Sequence, residues 1–410
     1  MSIAADLRSV IYALSDALDL VGVDDAAHGK RVGIMAAHCG KTMGMTLPET
    51  NFLFDLGLLH DVGVSSTEVR TRLADEFDWE HAHRHAEAGY DLLAGFAPLA
   101  HMALPVRYHH TRWDILVECD VDPVIARTAN LIMLVDRVDI LAAPHWTDRT
   151  LLLHRERIRS MISSLAGTYF APDLVDVFLA ASHPEAFWLL LEPRAIQSAL
   201  QNRLLHNYPY QATMNELRQL ARIFARIVDA KSRFTADHSL GVASLARFLG
   251  EKLGISAENC DKLEIAGLLH DLGKLRIPDH ILDKPTALDP DERLLINTHS
   301  FETYQILHGI DGFDDIARWA GYHHEEPDGS GYPFRITADR MPLEARILRV
   351  ADIFQALVQD RPYRRGLRAT DASSFLTKLG ARGRVDRDVV ATLDKSLDDA
   401  MSYAYARAKL

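Results

Sequence analysis

Cysteine is scarce: Cys39, Cys119 and Cys260 are the only three in 410 residues. They are too scattered for a disulfide framework or a zinc-type cysteine site, and they suit a reducing compartment. No apolar run is long enough to span a bilayer, and Asp6 and Arg8 stand where a secretory signal would be apolar. The expectation is a cytoplasmic protein without a membrane span. Positive charge is also short, with 45 Lys and Arg against 57 Asp and Glu and a formal charge of −12. That argues against wholesale binding of DNA or RNA, because phosphate binding normally leaves a basic footprint. An anionic ligand would need a local arginine cluster or metal ions. Sustained apolar–polar alternation is missing too, so no segment reads as a sheet strand.

What is present is the mix of a soluble globular protein, 48% hydrophobic and 25% charged, with length for two domains. The chain also repeats itself. A shift of 210 positions brings His28 onto His238 and "GLLHDVG", Gly57 to Gly63, onto "GLLHDLG", Gly267 to Gly273. "HAEAGYDLL" from His85 then matches "HSFETYQIL" from His299, and His109-His110 match His323-His324. "LVDRVDIL" sets Asp136 against Asp352 in "RVADIFQAL". Seven polar positions recurring in order mark a duplication. Segments such as "MNELRQLARIFARIVDAKS" and "SLGVASLARFLGEKLG" carry apolar residues at helical spacing. The stretch "DRDVVATLDKSLDDAMSYAYARA" reads as one closing helix. The predicted fold is all-α, two tandem helical bundles over 1–182 and 213–410, joined by a connector over 183–212.

A single histidine on an amphipathic helix is ordinarily a satisfied core or surface residue. Adjacent pairs are harder to set aside. His270-Asp271 follows the apolar run "IAGLL", where two strongly polar groups are costly unless bonded or ligating. Histidines and aspartates spread over five segments form the nitrogen and oxygen set that holds first-row divalent metals. A mixed set with one carboxylate free to bridge suits a two-metal centre better than a closed structural zinc site. Lys274, three residues past Asp271, faces the same side as that aspartate and could hold a phosphate oxygen. Then comes "HHEEPDGSGYP", a glycine-rich loop whose Tyr332 offers an aromatic face. After Asp352, "DRPYRRGLR" gathers Arg361, Arg364, Arg365 and Arg368, a phosphate-recognition cluster or a surface salt-bridge patch.

These motifs, over roughly residues 215 to 400, resemble the HD-GYP family of cyclic-dinucleotide phosphodiesterases within the HD superfamily. The resemblance implies an all-α fold around a metal centre and hydrolysis of cyclic di-GMP to linear pGpG or onward to GMP. It implies metal ligands at His238, His270, Asp271, His299, His323, His324 and Asp352, with Asp271 bridging. Asp271 and Lys274 would carry catalysis; Lys274, Gly331, Tyr332, Pro333, Arg361 and Arg364 would face the substrate. Three-metal members place a glutamate four residues before the first histidine; Phe234 stands there. The expectation is therefore two divalent ions, iron or manganese first, with nickel, cobalt or zinc acceptable to the same ligands. "QALVQ" replaces the family's "DALTS", which puts a helper role for Gln355 in doubt. Implied partners are the cyclic dinucleotide, with a homodimer or a diguanylate cyclase (GGDEF) protein as candidate associations. The rival readings are 3′,3′-cGMP-AMP as substrate, a non-catalytic HD signalling scaffold, and a nucleotidase of the wider superfamily.

The first copy keeps each ligand position, His28, His60, Asp61, His85, His109, His110 and Asp136, and has Asp24 one helical turn before His28. Whether it holds metal is left open by the sequence. Val64 stands where Lys274 does, "HHTRWDILVEC" replaces the glycine–tyrosine–proline loop, and no arginine cluster follows Asp136. The expectation is a degenerate, regulatory or dimerising domain without phosphate grips.

Overall fold

A computed structural model of the chain describes residues 5–21, 27–75, 77, 81–146, 149–206, 210–231, 238–360 and 365–405. Every regular element among them is helical, and β-structure is limited to three isolated bridges. The all-α expectation holds. Two compact units result, one of Met1–Ala17 with Pro209–Leu410, the other Leu18–Tyr208. The expected boundaries at 182 and 213 differ from this division at both ends. The stretch read as a connector carries the helices Glu185–Leu189 and Pro193–His206, which go with Leu18–Tyr208. At the other end, Leu7 N donates to Tyr210 O at 2.9 Å and Ala212 N to Ala5 O at 3.0 Å. These bonds tie the start of the chain to the segment that opens the second half.

Each unit is built on the same five helices. In Leu18–Tyr208 they are His28–Thr42, Leu47–Leu59, His83–Ala94, Ala100–Tyr108 and Pro123–Ala142. In the other unit they are His238–Lys252, Ala257–Leu269, Pro290–His308, Asp314–Gly321 and Leu343–Val358. Their starts follow local rules. Thr46 with Glu49, and Asp289 with Glu292, form capping boxes, each followed by a proline in the first turn. Asp122 and Ser256 accept backbone N–H bonds at two further starts. The closing segment is two helices rather than one, Arg387–Lys395 and Leu397–Ala404, because Ser396 leaves the helical region at φ −132°.

The twice-written phrase "GLLHD(V/L)G" is explained by packing. A Cβ on Gly57 would lie 2.5 Å from Gly33 Cα, and one on Gly267 2.7 Å from Ala243 Cα. The first glycine thus lets the second helix cross the first at backbone distance. A Cβ on Gly63 would sit 2.1 Å from His85 O, and one on Gly273 2.1 Å from His299 O. The last glycine sets the His-Asp turn directly against the helix carrying the next histidine. Between them the paired leucines are buried, Leu58 and Leu59 as well as Leu268 and Leu269. Apolar burial of that kind is worth about 1.5–3 kcal/mol per leucine side chain. The phrase is an anchor that aims two polar residues out of an apolar helix end.

Candidate metal centres

In the second unit the seven expected ligands come together. Asp271 divides them by its two carboxylate oxygens. Oδ2 lies 3.7 Å from His238 Nε2 and 3.3 Å from His270 Nε2, while Asp352 Oδ1 is 3.3 Å from that same His238 nitrogen. Oδ1 lies 3.4 Å from His299 Nε2 and 3.8 Å from His323 Nε2. Donor atoms within 4.8 Å of one another form the sets His238, His270, Asp352 and His299, His323, His324, with Asp271 grouped with His270 and His323. One carboxylate thus faces two nests of nitrogen.

The chemistry of these donors fits a divalent cation. His270, His299 and His323 each donate from Nδ1 to a backbone carbonyl three residues earlier, at 2.6–2.7 Å. That fixes the proton on Nδ1 and leaves Nε2 as a lone pair. Yet His299 Nε2 and His323 Nε2 stand 3.2 Å apart. Two lone pairs so placed repel unless a cation lies between them. Burial holds His299 down at about 4 and pushes His323 and His324 well below the ordinary imidazole range, so the set is neutral and ready to ligate. Burial also works against charge on Asp271, but His270, Lys274 and His299 outweigh it and hold its carboxyl well below the usual range. Asp271 Oδ1 and His270 Nε2 are buried without a hydrogen-bond partner among the described residues.

Surrounding residues hold this geometry, and several escape a reading of the sequence. Gln355 Oε1 accepts from His238 Nδ1, so the residue whose helper role was in doubt does orient the first histidine. Thr303 Oγ1 accepts from Gly273 N at 2.9 Å and donates to His270 O at 3.0 Å, clamping the His-Asp turn. Lys274 Nζ donates to Asp271 Oδ2 and stays partly open to solvent. The glycine–tyrosine–proline loop is folded by two glutamates. Buried Glu325 accepts from the N–H groups of Phe334, Arg335 and Ile336, and Glu326 is held by Arg349, Arg384 and Ser330. Gly331 is obligatory there, since a Cβ would meet Glu326 N at 2.3 Å. Tyr332 then lies over His324, ring centroids 4.9 Å apart, and the Tyr332–Pro333 bond is cis. The tyrosine roofs His324, one of the expected ligands, with one face. Phe234, Arg361 and Arg364 lie outside the described residues.

A model of the HD domain matches residues 207–389. Over 390 residues the chain is 36% identical to 3′3′-cGAMP-specific phosphodiesterase 1 of Vibrio cholerae serotype O1, covering 94% of this chain and 90% of that protein. The chain belongs to the HD-GYP family of cyclic-dinucleotide phosphodiesterases. A cyclic di-GMP phosphodiesterase response regulator of Xanthomonas campestris pv. campestris is 37% identical over 194 residues, 46% of this chain and 49% of that protein. The crystal structure of a cyclic GMP-AMP specific phosphodiesterase of V. cholerae shares the fold at a TM-score of 0.63, 24% identical, over 97% of this chain and 98% of that one. HD-domain phosphodiesterases depend on metal, and this member has the clusters to bind it. No helix among the described residues is long and apolar enough to cross a membrane.

In this HD-GYP protein the first unit repeats the geometry. Asp61 Oδ1 is 3.2 Å from His85 Nε2 and 3.7 Å from His109 Nε2; Asp61 Oδ2 is 3.5 Å from His60 Nε2 and 3.8 Å from His28 Nε2. Asp136 Oδ1 is 3.3 Å from His28 Nε2. His28 Nδ1 pairs at 2.8 Å with Asp139, the counterpart of Gln355, and Arg31 holds that aspartate's other oxygen. Val64 is buried where Lys274 projects, though both backbone N–H groups close the same turn, at 2.8 and 2.9 Å. One feature was not foreseen from the sequence. The cation is not lost: Arg70, from the helix Thr67–Asp75, donates to Asp61 Oδ2, the oxygen that corresponds to Lys274's acceptor. The loop, by contrast, is gone. The short helix Trp113–Leu116 follows His110, pinned by Trp113 N to Tyr169 O at 3.0 Å and Asp114 N to Thr168 O at 2.9 Å. Asp24 lies outside the described residues.

Proposed function

We propose that this phosphodiesterase acts on 3′,3′-cGMP-AMP, opening it to a linear dinucleotide at a two-metal centre in its second half. The observation that carries this substrate is the extent of likeness. The relative that follows 94% of the chain is named cGAMP-specific, whereas the response regulator named a cyclic di-GMP phosphodiesterase covers 46% of it. The order of the two substrates expected from the motifs is therefore reversed, with cyclic di-GMP second.

The bound ions, iron or manganese by expectation, would activate water near neutral pH and offset the charge of the phosphodiester. The protein's own residues supply the rest. Asp271 presents one oxygen to each ligand set, which supports a pair of ions rather than one. Lys274, held on Asp271 Oδ2 beside the centre, faces charge that builds on phosphoryl oxygens. Tyr332 and the loop behind it, braced by Glu325 and Glu326, wall the centre at His324 and keep water from competing there. Turnover of 3′,3′-cGMP-AMP and cyclic di-GMP in parallel, with iron or manganese supplied, tests the proposal. It expects kcat/KM at least about tenfold higher for the mixed dinucleotide, a difference of about 1.4 kcal/mol. Equal or faster cyclic di-GMP hydrolysis would restore the other order.

A further inference from the structure

We propose that the unit Leu18–Tyr208 holds a metal centre of its own, on the positions from His28 to Asp136 described above, with Arg70 gripping a phosphate-class oxyanion beside it. Three observations meet here. Donor atoms of Asp61, His85, His109 and His110 lie within 4.8 Å of one another, as do those of His28, His60 and Asp61. In His60 and His109 the proton sits on Nδ1, which leaves Nε2 as a lone pair aimed into the cluster. His60 Nδ1 donates to Gly57 O at 2.7 Å and His109 Nδ1 to Val106 O at 2.6 Å, while His28 Nδ1 faces the Asp139 carboxylate. Their Nε2 atoms are nonetheless driven together, His28 against His60 at 3.3 Å and His85 against His109 at 3.3 Å. A cation relieves both contacts. Third, Asp61 Oδ1 and His110 Nε2 are buried without a hydrogen-bond partner among the described residues. Residues kept only for packing would not leave polar atoms unmet in a buried pocket, where each one is costly.

Arg70 decides the ligand class. Its side chain is 9% exposed, and Nη1 is spent on Asp61 Oδ2. A guanidinium has five donors in a planar fork, which suits a phosphate oxyanion better than an ammonium does. Where the second unit roofs its centre with Tyr332, this one has the pinned helix after His110 in place of the glycine–tyrosine–proline loop. The site is built for a phosphate group without a dinucleotide around it.

The test uses the full chain carrying His270→Ala with Asp271→Ala, which empties the second centre. Purified without oxygen, this protein should keep metal by elemental analysis, and adding His60→Ala with Asp61→Ala should remove it. A folded, melting-competent His270→Ala, Asp271→Ala protein that holds no metal overturns the proposal. If the quadruple variant does not fold, Asp61→Asn alone in the same background replaces it, with the same expected loss; full metal retention would overturn the proposal. In that background, loaded with manganese, inorganic phosphate is the probe, read by manganese-induced relaxation of its phosphorus signal. Arg70→Ala should weaken phosphate binding at least about tenfold and Arg70→Lys less; unchanged binding overturns the grip. A cyclic dinucleotide should not compete, and competition would overturn the ligand class. Because the background lacks the second centre, none of these outcomes depends on which dinucleotide that centre hydrolyses.

Discussion

In the first half the cation beside the shared aspartate is Arg70, six residues beyond the turn's valine and on the next helix; in the second it is Lys274, inside the turn. Both reach the corresponding carboxylate oxygen. Around these cations the halves diverge. The second braces a glycine–tyrosine–proline loop with two buried glutamates, and the first replaces it with a short helix tied to backbone carbonyls. The first also orients its leading histidine with a carboxylate, Asp139, where the second uses the amide of Gln355. The duplication has thus kept the ligand cage, moved the cation and discarded the roof. What separates the halves is the wall beside the cage, not the set of donor residues that forms it.

This comparison can be broken at graded points. The largest effect is expected from His270→Ala with Asp271→Ala, which should reduce cyclic-dinucleotide hydrolysis to background; persistent turnover would move catalysis to the other half. Lys274→Ala should lower kcat by about 10²-fold with metal content unchanged, the loss expected for one donor facing developing charge. Elemental analysis beside kinetics separates that from loss of the ions. Gln355→Ala should weaken metal binding by about 10–100-fold, as loss of a partner that orients a ligand does. Gln355→Glu would mimic Asp139 and should retain more metal than Gln355→Ala in a chelator titration. The smallest effect is expected from Glu325→Gln, which removes the charge from the acceptor of three loop N–H groups and turns one of its two oxygens into a donor. It should cost about 1–3 kcal/mol in stability, visible in the melting temperature, and raise KM more than it lowers kcat.

Much of this was legible in the sequence because ligand chemistry is carried by rare residue types at fixed helical offsets. His60-Asp61 and His270-Asp271 end apolar helices, and the interval to the preceding histidine is set by two helices crossing at Gly57 and Gly267. Such spacings survive duplication, and the whole all-α plan follows from them. Arg70 was not legible, because a cation that reaches an aspartate from a neighbouring helix has no fixed sequence offset. Nor were Glu325, whose carboxylate accepts from backbone N–H groups of a loop that only the fold brings back to it, and Glu326, which the side chains of Ser330, Arg349 and Arg384 hold. Gln355 was misjudged from a departure in motif, although its amide oxygen meets the same need as a carboxylate would. The tie between Leu7 and Tyr210 was invisible for a further reason: backbone bonds carry no side-chain signature.

The central claim is that Asp271 divides its two oxygens between paired cations in the second half. Anomalous diffraction from crystals of the metal-loaded protein, collected at the absorption edge of the bound metal, tests it most directly. The account predicts two peaks in that centre, one among His238, His270 and Asp352 and the other among His299, His323 and His324, with Asp271 between them. A single peak there, or none while the protein is active, would contradict it.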